Sequence, residues 1–289
     1  MSAEILKADA ALHVREAAVA EIRALGFPPK VVAIHNPESA AARYYLRAQR
    51  KTCLEASVGY EVRTLEPGWD LEKVLRLIHD LNRDPGVTGI TVHTPLPAGM
   101  NPDLVMSALA PAKDIEGIHP ENLGRLAFGE HHPAPCAASA AVELARAARP
   151  SFRGLDAVVV GRSALVGKAI ALLLLQSKAE APTPTLCHTA TADLGAHTRR
   201  ADLLFAAAGR AGLIRGTMVK PGAVVIDVGI NETPEGKLVG DVVFDEAREV
   251  AGVLTPVPGG VGPVCHYILL RNIAACAHRA ARDPARGGA

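Results

Sequence analysis

The sequence predicts a two-lobed α/β protein with parallel, helix-covered sheets, the second half doubly wound. Three observations carry that prediction. Apolar segments of strand length alternate with segments of helical period along the chain. Such alternation selects a parallel sheet, because crossover helices are what join parallel strands and then cover them. Residues 157–160 form an apolar strand that runs directly into a glycine-bounded turn and a helix, the opening of a doubly wound unit. The 289 residues also exceed one ordinary domain of roughly 100–200 residues.

In chain order, Ala11, Val14, Ala18, Ile22 and Leu25 recur at helical spacing, and Gly26 with Pro28 and Pro29 ends that helix before a strand over 31–34. The spacing then predicts a helix over 44–56, an extended stretch over 61–65 and a helix over 70–81. A strand over 89–93 follows, closed by Thr94-Pro95-Leu96-Pro97. The second half opens with a helix over 137–148 and the strand over 157–160. That strand feeds the turn Gly161 to Gly167 and a helix reaching Gln176. Strands over 185–188, 202–207 and 223–228 complete the pattern. The tail over 280–289 is expected to fray.

Composition narrows the function. Hydrophobic residues make up 49% and charged residues 21%, with a formal net charge of +1, which excludes bulk disorder and any basic field for nucleic acid. The longest aliphatic run, 169–175, is far short of the ~20 residues of a membrane span. Residues 1–7 lack the basic-then-apolar pattern of an export signal. A cytoplasmic protein without nucleic-acid or membrane partners is expected. Cys53, Cys136, Cys187, Cys265 and Cys276 are odd in number and form no CxxC pair, so they read as reduced thiols. The histidines include one adjacent pair, His131 and His132, and no spacing of metal ligands; no metal is expected.

A phosphate needs backbone N–H groups with no Cβ in the way, and a helix N-terminus supplies donors and partial positive charge together. Gly161 and Gly167 stand where that requires, in a G-x-S-x-x-x-G spacing between strand and helix. The other reading is a tight strand-to-helix turn without a ligand. NAD-binding sheets carry an acidic residue about 20 positions on, for the ribose hydroxyl. Here the second strand ends Cys187-His188-Thr189-Ala190, with no carboxylate, and Arg162 lies in the turn. That favours NADP over NAD, unless Arg162 is only a solvated surface residue.

Six segments then occur in one order: Thr94-Pro95-Leu96-Pro97, Lys113-Asp114-Ile115-Glu116-Gly117, the turn Gly161-Arg162-Ser163 with Val166-Gly167, Val225 to Asn231, Gly240-Asp241-Val242, and Thr255 to Pro263. Together they resemble the bifunctional methylenetetrahydrofolate dehydrogenase/methenyltetrahydrofolate cyclohydrolase family, known as FolD, over nearly the whole chain. The resemblance implies an N-terminal α/β folate-binding lobe completed by the C-terminal helix (1–140 plus 265–289) and a Rossmann-like NADP-binding domain (141–264). It also implies a cleft between them, tetrahydrofolate derivatives as substrates and a homodimer. It assigns cofactor binding to Gly161, Arg162, Ser163, Val166, Gly167, Thr189, Gly229, Ile230 and Asn231. Pro258, Gly259, Gly262 and Pro263 fall on its cleft floor.

On the folate side the chain departs from the family pattern. Tyr45 falls on the family's tyrosine, but Gln49 falls on its lysine, His93 on its glutamine and Glu116 on its aspartate. The loop 36–43 reads about two residues longer than usual. Lys51 does not replace the lysine, because it lies about 200° around the helix from Gln49. Tyr45 and Glu116 are expected to hold a pterin. Gln49 cannot exchange a proton at neutral pH, so dehydrogenase chemistry is expected and cyclohydrolase chemistry is in doubt. A second possibility makes His93 the proton carrier; the alternative is a simple hydrogen bond at a strand end. Cys265 and His266, adjacent on a helix, point about 100° apart and are assigned to packing, and Asp227 to ordering a turn. Two other functions are compatible with the pattern: action on another one-carbon carrier or modified pterin, and a catalytically silent NADPH-binding protein.

Overall fold

The structure, a computed structural model, describes residues 2–37, 40–66, 68–130 and 133–281. The expectations for His131, His132 and the tail beyond residue 281 fall outside these residues. The first half runs β1 (Glu4–Ile5), α1 (Leu12–Arg23), β2 (Lys30–His35), α2 (Ala40–Glu55), β3 (Gly59–Thr64), α3 (Leu71–Arg83) and β4 (Gly89–Val92). Two short helices, α4 (Pro102–Ser107) and α5 (Pro120–Ala127), lead to α6 (Cys136–Ala148) and β5 (Asp156–Val160). A single π-helical turn, Ala164–Lys168, opens α7 (Ala169–Leu174), followed by β6 (Thr183–Cys187), α8 (Leu194–Thr198), β7 (Leu203–Ala206) and β8 (Val224–Asp227). The hairpin β9 (Asn231–Glu232) and β10 (Leu238–Val239), α9 (Phe244–Arg248), β11 (Val253–Leu254) and α10 (Val261–Ala281) complete the chain.

The chain divides into two compact units. One comprises Val14–Ala134 with Ile268–Ala289. Its sheet has the order β3-β2-β4, parallel throughout. Helix α3 buries Val74, Ile78 and Leu81, one face at helical spacing. Its N-terminus is capped by Asp70, which accepts from the Lys73 N–H at 2.8 Å. Beyond β4, buried Asp114 bridges to Ile90 and accepts from the N–H groups of Gly117 and His119 and from Asn122 Nδ2. From α10, Asn272 Nδ2 donates to the carbonyls of Ile115 and Ala134, both at 2.9 Å. These bonds fix the backbone on both sides of Glu116.

The other unit comprises Met1–His13 with Pro135–Tyr267. Its parallel sheet has the order β1-β11-β8-β7-β5-β6. The chain leaves β5 first for β6 on one side and then for β7 on the other, so the topological switch point lies at the carboxyl end of β5. Residues 1–13 group with this unit, whereas the sequence reading places 1–140 in one lobe. Glu4–Ile5 pairs with Val253–Leu254, and the N–H groups of Ala3, Glu4 and Leu6 donate to Arg248, Gly252 and Leu254. A strand of two residues carries no periodicity from which to read it.

Candidate active site

Tyr45 and Gln49 are four residues apart on α2 and so share a face. Gln49 is fully buried, and its Nε2 donates to Glu116 Oε1 at 2.9 Å. Thr91 Oγ1 donates to the same oxygen at 3.0 Å. Gln49 Oε1 accepts from the Tyr60 hydroxyl at 2.5 Å and lies 3.0 Å from His93 Nε2. A carboxylate only accepts, so the amide nitrogen must face Glu116 and the amide oxygen must face Tyr60 and His93. His93 therefore carries its proton on Nε2. Its Nδ1 is buried without a hydrogen-bond partner, as is His35 Nδ1. The His93 ring stands edge-on to Tyr45 at 5.6 Å and to His35 at 5.9 Å.

Burial, reinforced by the neighbouring His35, pushes His93 down to about 4. It is neutral at physiological pH, which favours the hydrogen-bonding role over that of a proton carrier. His35 is lowered by burial and then by Arg43. Burial raises the Tyr60 hydroxyl well above the ordinary phenol range, so Tyr60 is a donor at any pH near neutrality. Burial and the Glu116 charge push the Cys53 thiol up to about 12, leaving it an inert packing group. Lys51 is exposed and pairs with Glu55 at 3.9 Å, consistent with its predicted direction away from Gln49.

In the other unit, Gly161 has φ +130°, and a Cβ there would lie 2.0 Å from the Ala207 carbonyl oxygen. A Cβ on Gly167 would meet the Gly161 carbonyl oxygen at 2.0 Å. The turn thus packs backbone on backbone across the switch point, and only glycine permits it. Arg162, Ser163 and Thr189 are exposed, and Val166 is half-buried. The Gly161 N–H donates to Cys187, at the end of β6, at 2.9 Å. No carboxylate stands at the Cys187-His188-Thr189 end of β6. A backbone cradle with a nearby cation and no acid fits the phosphates of a dinucleotide.

Asp227 and Asp241 organise the loops on the far side of the same sheet edge. Asp227 accepts from the N–H groups of Gly229, Asp241 and Val242. Asp241 accepts from those of Ala208, Gly209 and Arg210 and from Asn231 Nδ2. The room for this comes from Gly229 and Gly240, whose Cβ atoms would sit 2.2 Å from Asp241 and 1.8 Å from Asp227. Asp227 orders a turn, as the sequence suggests; Asp241 does so too. Asn231 is held and Ile230 is exposed. Pro258, Gly259, Gly262 and Pro263 belong to this unit, where the Gly259 carbonyl accepts from the Ala8 N–H. Cys265 packs with its thiol on the Val261 carbonyl.

The structure thus brings Tyr45, Gln49, His93 and Glu116 together and adds Tyr60, Thr91 and His35. The dinucleotide-turn residues gather in the other unit. A family model described as the tetrahydrofolate dehydrogenase/cyclohydrolase NAD(P)-binding domain matches residues 135–281. The catalytic domain of the same family matches residues 2–116. This chain belongs to the tetrahydrofolate dehydrogenase/cyclohydrolase family. Among curated relatives, the bifunctional protein FolD of Acidiphilium cryptum is 43% identical over 96% of this chain and 100% of its own length. Among solved structures, the bifunctional FolD of Campylobacter jejuni has a TM-score of 0.87 at 36% identity, covering 93% of this chain and 96% of that one. The Trypanosoma brucei FolD, crystallised with NADP cofactor and an inhibitor, has a TM-score of 0.89 at 33% identity over 98% and 100%. Among the described residues, no helix is long and apolar enough to cross a membrane.

Proposed function

We propose that this family member oxidises 5,10-methylenetetrahydrofolate to 5,10-methenyltetrahydrofolate with NADP, and that it hydrolyses the methenyl product to 10-formyltetrahydrofolate slowly. One observation carries this reading: the buried residue at the heart of the folate-side cluster is Gln49, an amide tied to Glu116, Tyr60 and His93. Oxidising a methylene held between two nitrogens needs positioning above all, since the nitrogens themselves stabilise the cation. NADP, when bound, supplies the hydride acceptor.

The chain's own residues supply the rest. Gly161, Arg162, Ser163, Val166, Gly167 and Thr189 would hold the phosphates and ribose. Gly229, Ile230 and Asn231, on the loop tied to Asp227 and Asp241, would contact the remainder of the cofactor. Glu116 offers a carboxylate for the donors of a pterin, with Tyr45 one turn before its partner Gln49 on α2; the family resemblance assigns substrate contacts to Pro258, Gly259, Gly262 and Pro263 as well. Hydrolysis needs a group that takes and returns a proton. Gln49 does neither, and His93 is held neutral, so the loss relative to a lysine is about 10²–10⁴ in rate. The family reading carries with it a homodimer and a cytoplasmic location; the five free, buried cysteines are compatible with the reducing conditions of that location.

The test mixes purified protein with methylenetetrahydrofolate and NADP, or NAD in parallel, and follows methenyl absorbance together with NADPH. Both should form with NADP, the methenyl product then accumulating and decaying little faster than its non-enzymatic rate. Decay fast enough to keep the methenyl product from accumulating would restore a bifunctional assignment. No oxidation with either cofactor would overturn the reading in favour of an altered one-carbon carrier or a silent binding protein. Sedimentation velocity on the same preparation tests the dimer.

A further inference from the structure

We propose that Tyr60 is a positioning residue: its hydroxyl acts through the Gln49 amide to hold the Glu116 carboxylate in its folate-binding orientation. The inference rests on the proposed function and deepens it.

Gln49 is an amide with two possible orientations, and its neighbours decide between them. Glu116 Oε1 already accepts from Thr91 Oγ1 at 3.0 Å and takes the Gln49 Nε2–H at 2.9 Å. Turning the amide over would set an oxygen against a carboxylate, acceptor against acceptor. On the other side the amide oxygen lies within 2.5 Å of the Tyr60 hydroxyl and 3.0 Å of His93 Nε2. His93 can switch tautomer and become an acceptor at Nε2. A tyrosine hydroxyl, too, can in general accept as well as donate, but here its O–H bond is committed: among the described residues, Gln49 Oε1 is the one acceptor of Tyr60. Tyr60 is therefore the donor that keeps the amide oxygen turned away from Glu116 when His93 rearranges. Gln49 is fully buried, so no solvent replaces that bond from outside. The arrangement runs from β3 through α2 to the segment after β4 and fixes three elements to one carboxylate.

Tyr60→Phe keeps the ring and its packing and removes only the hydroxyl. Loss of one such bond should raise KM for methylenetetrahydrofolate about three- to tenfold, with kcat within about twofold and NADP affinity unchanged. In a Gln49→Leu background the same change should add nothing, because the route from Tyr60 to Glu116 is gone. An equal effect in both backgrounds, or no change in KM, would overturn the inference. The side-chain amide protons of Gln49, followed by ¹⁵N NMR, give a readout independent of substrate. Their exchange with solvent should be severalfold faster in Tyr60→Phe, and unchanged exchange would overturn the role of Tyr60. Wild-type protein that fails to oxidise methylenetetrahydrofolate sinks the functional reading instead, and the amide exchange then decides on Tyr60 alone.

Discussion

The backbone N–H of Asp241 donates to Asp227 Oδ1 at 3.0 Å, so one buried carboxylate carries the loop that presents the other. Asp241 in turn gathers the Ala208, Gly209 and Arg210 N–H groups. Two buried carboxylates thus share one sheet edge, each held chiefly by backbone N–H donors.

This arrangement has an inverted acid dependence. Burial pushes Asp227 up to about 6, outweighing the three N–H donors, and Asp241 adds to the rise. A carboxyl whose folded value exceeds its unfolded one stabilises the fold below the unfolded value, near pH 4, and loses that contribution as pH rises through about 6. The contribution is roughly 2–3 kcal/mol. Urea unfolding at pH 4.5, 5.5 and 7 should show this falling trend in the difference between wild type and Asp227→Asn.

His93 should behave in the opposite sense. Its folded value, about 4, lies below the ordinary histidine value because of burial and His35. Its contribution is present above pH 6.5 and is lost as pH falls through about 4, roughly 3 kcal/mol. The acid-induced fall in stability of the wild type should be smaller in His93→Asn over pH 6.5 to 4.5. The rate of methylene oxidation should show no inflection near pH 6.5 attributable to this imidazole.

Gln49→Lys restores a titratable group. The new ammonium would meet the Tyr60 oxygen and, after a tautomer switch, His93 Nε2. Methenyl hydrolysis should rise at least about tenfold and acquire a pH dependence that the wild type lacks. A stopped-flow assay of methenyl decay measures both; an unchanged rate would mean that the lysine is not what hydrolysis is missing.

Two glycine substitutions should part company. Gly161→Ala forces a Cβ within 2.0 Å of the Ala207 carbonyl at φ +130°, and should destabilise the fold by about 3 kcal/mol or more and abolish NADP binding. Gly124, exposed in α5, has open space around it, so Gly124→Ala should stabilise by about 0.5–1 kcal/mol. Thermal melts with and without NADP distinguish the two.

The periodic elements were legible because each signal is local. Val74, Ile78 and Leu81 declare α3 by spacing alone, and the run into Gly161 declares β5 and its turn. Tyr45, Gln49, His93 and Glu116 could be named because they sit in or beside motifs. Tyr60, Thr91 and His35 could not. Tyr60 reaches Gln49 only because β3 pairs in parallel with β2 in one particular register, and Thr91 meets Glu116 only because Asp114 bridges to Ile90. Those are non-local pairings, invisible to any window of sequence. The π-helical start of α7 was likewise hidden, since i to i+5 bonding leaves no mark on apolar spacing.

Strand β1 has a consequence for self-association. It is two residues long, one of them Glu4, and it covers the side of β11 that would otherwise present unpaired N–H and C=O groups. A short, charged outermost strand leaves almost no template for a neighbouring molecule to extend. Deleting or displacing residues 3–6 would strip that cover and expose the β11 edge to a neighbouring molecule, so a precipitating preparation is the expected result of removing it.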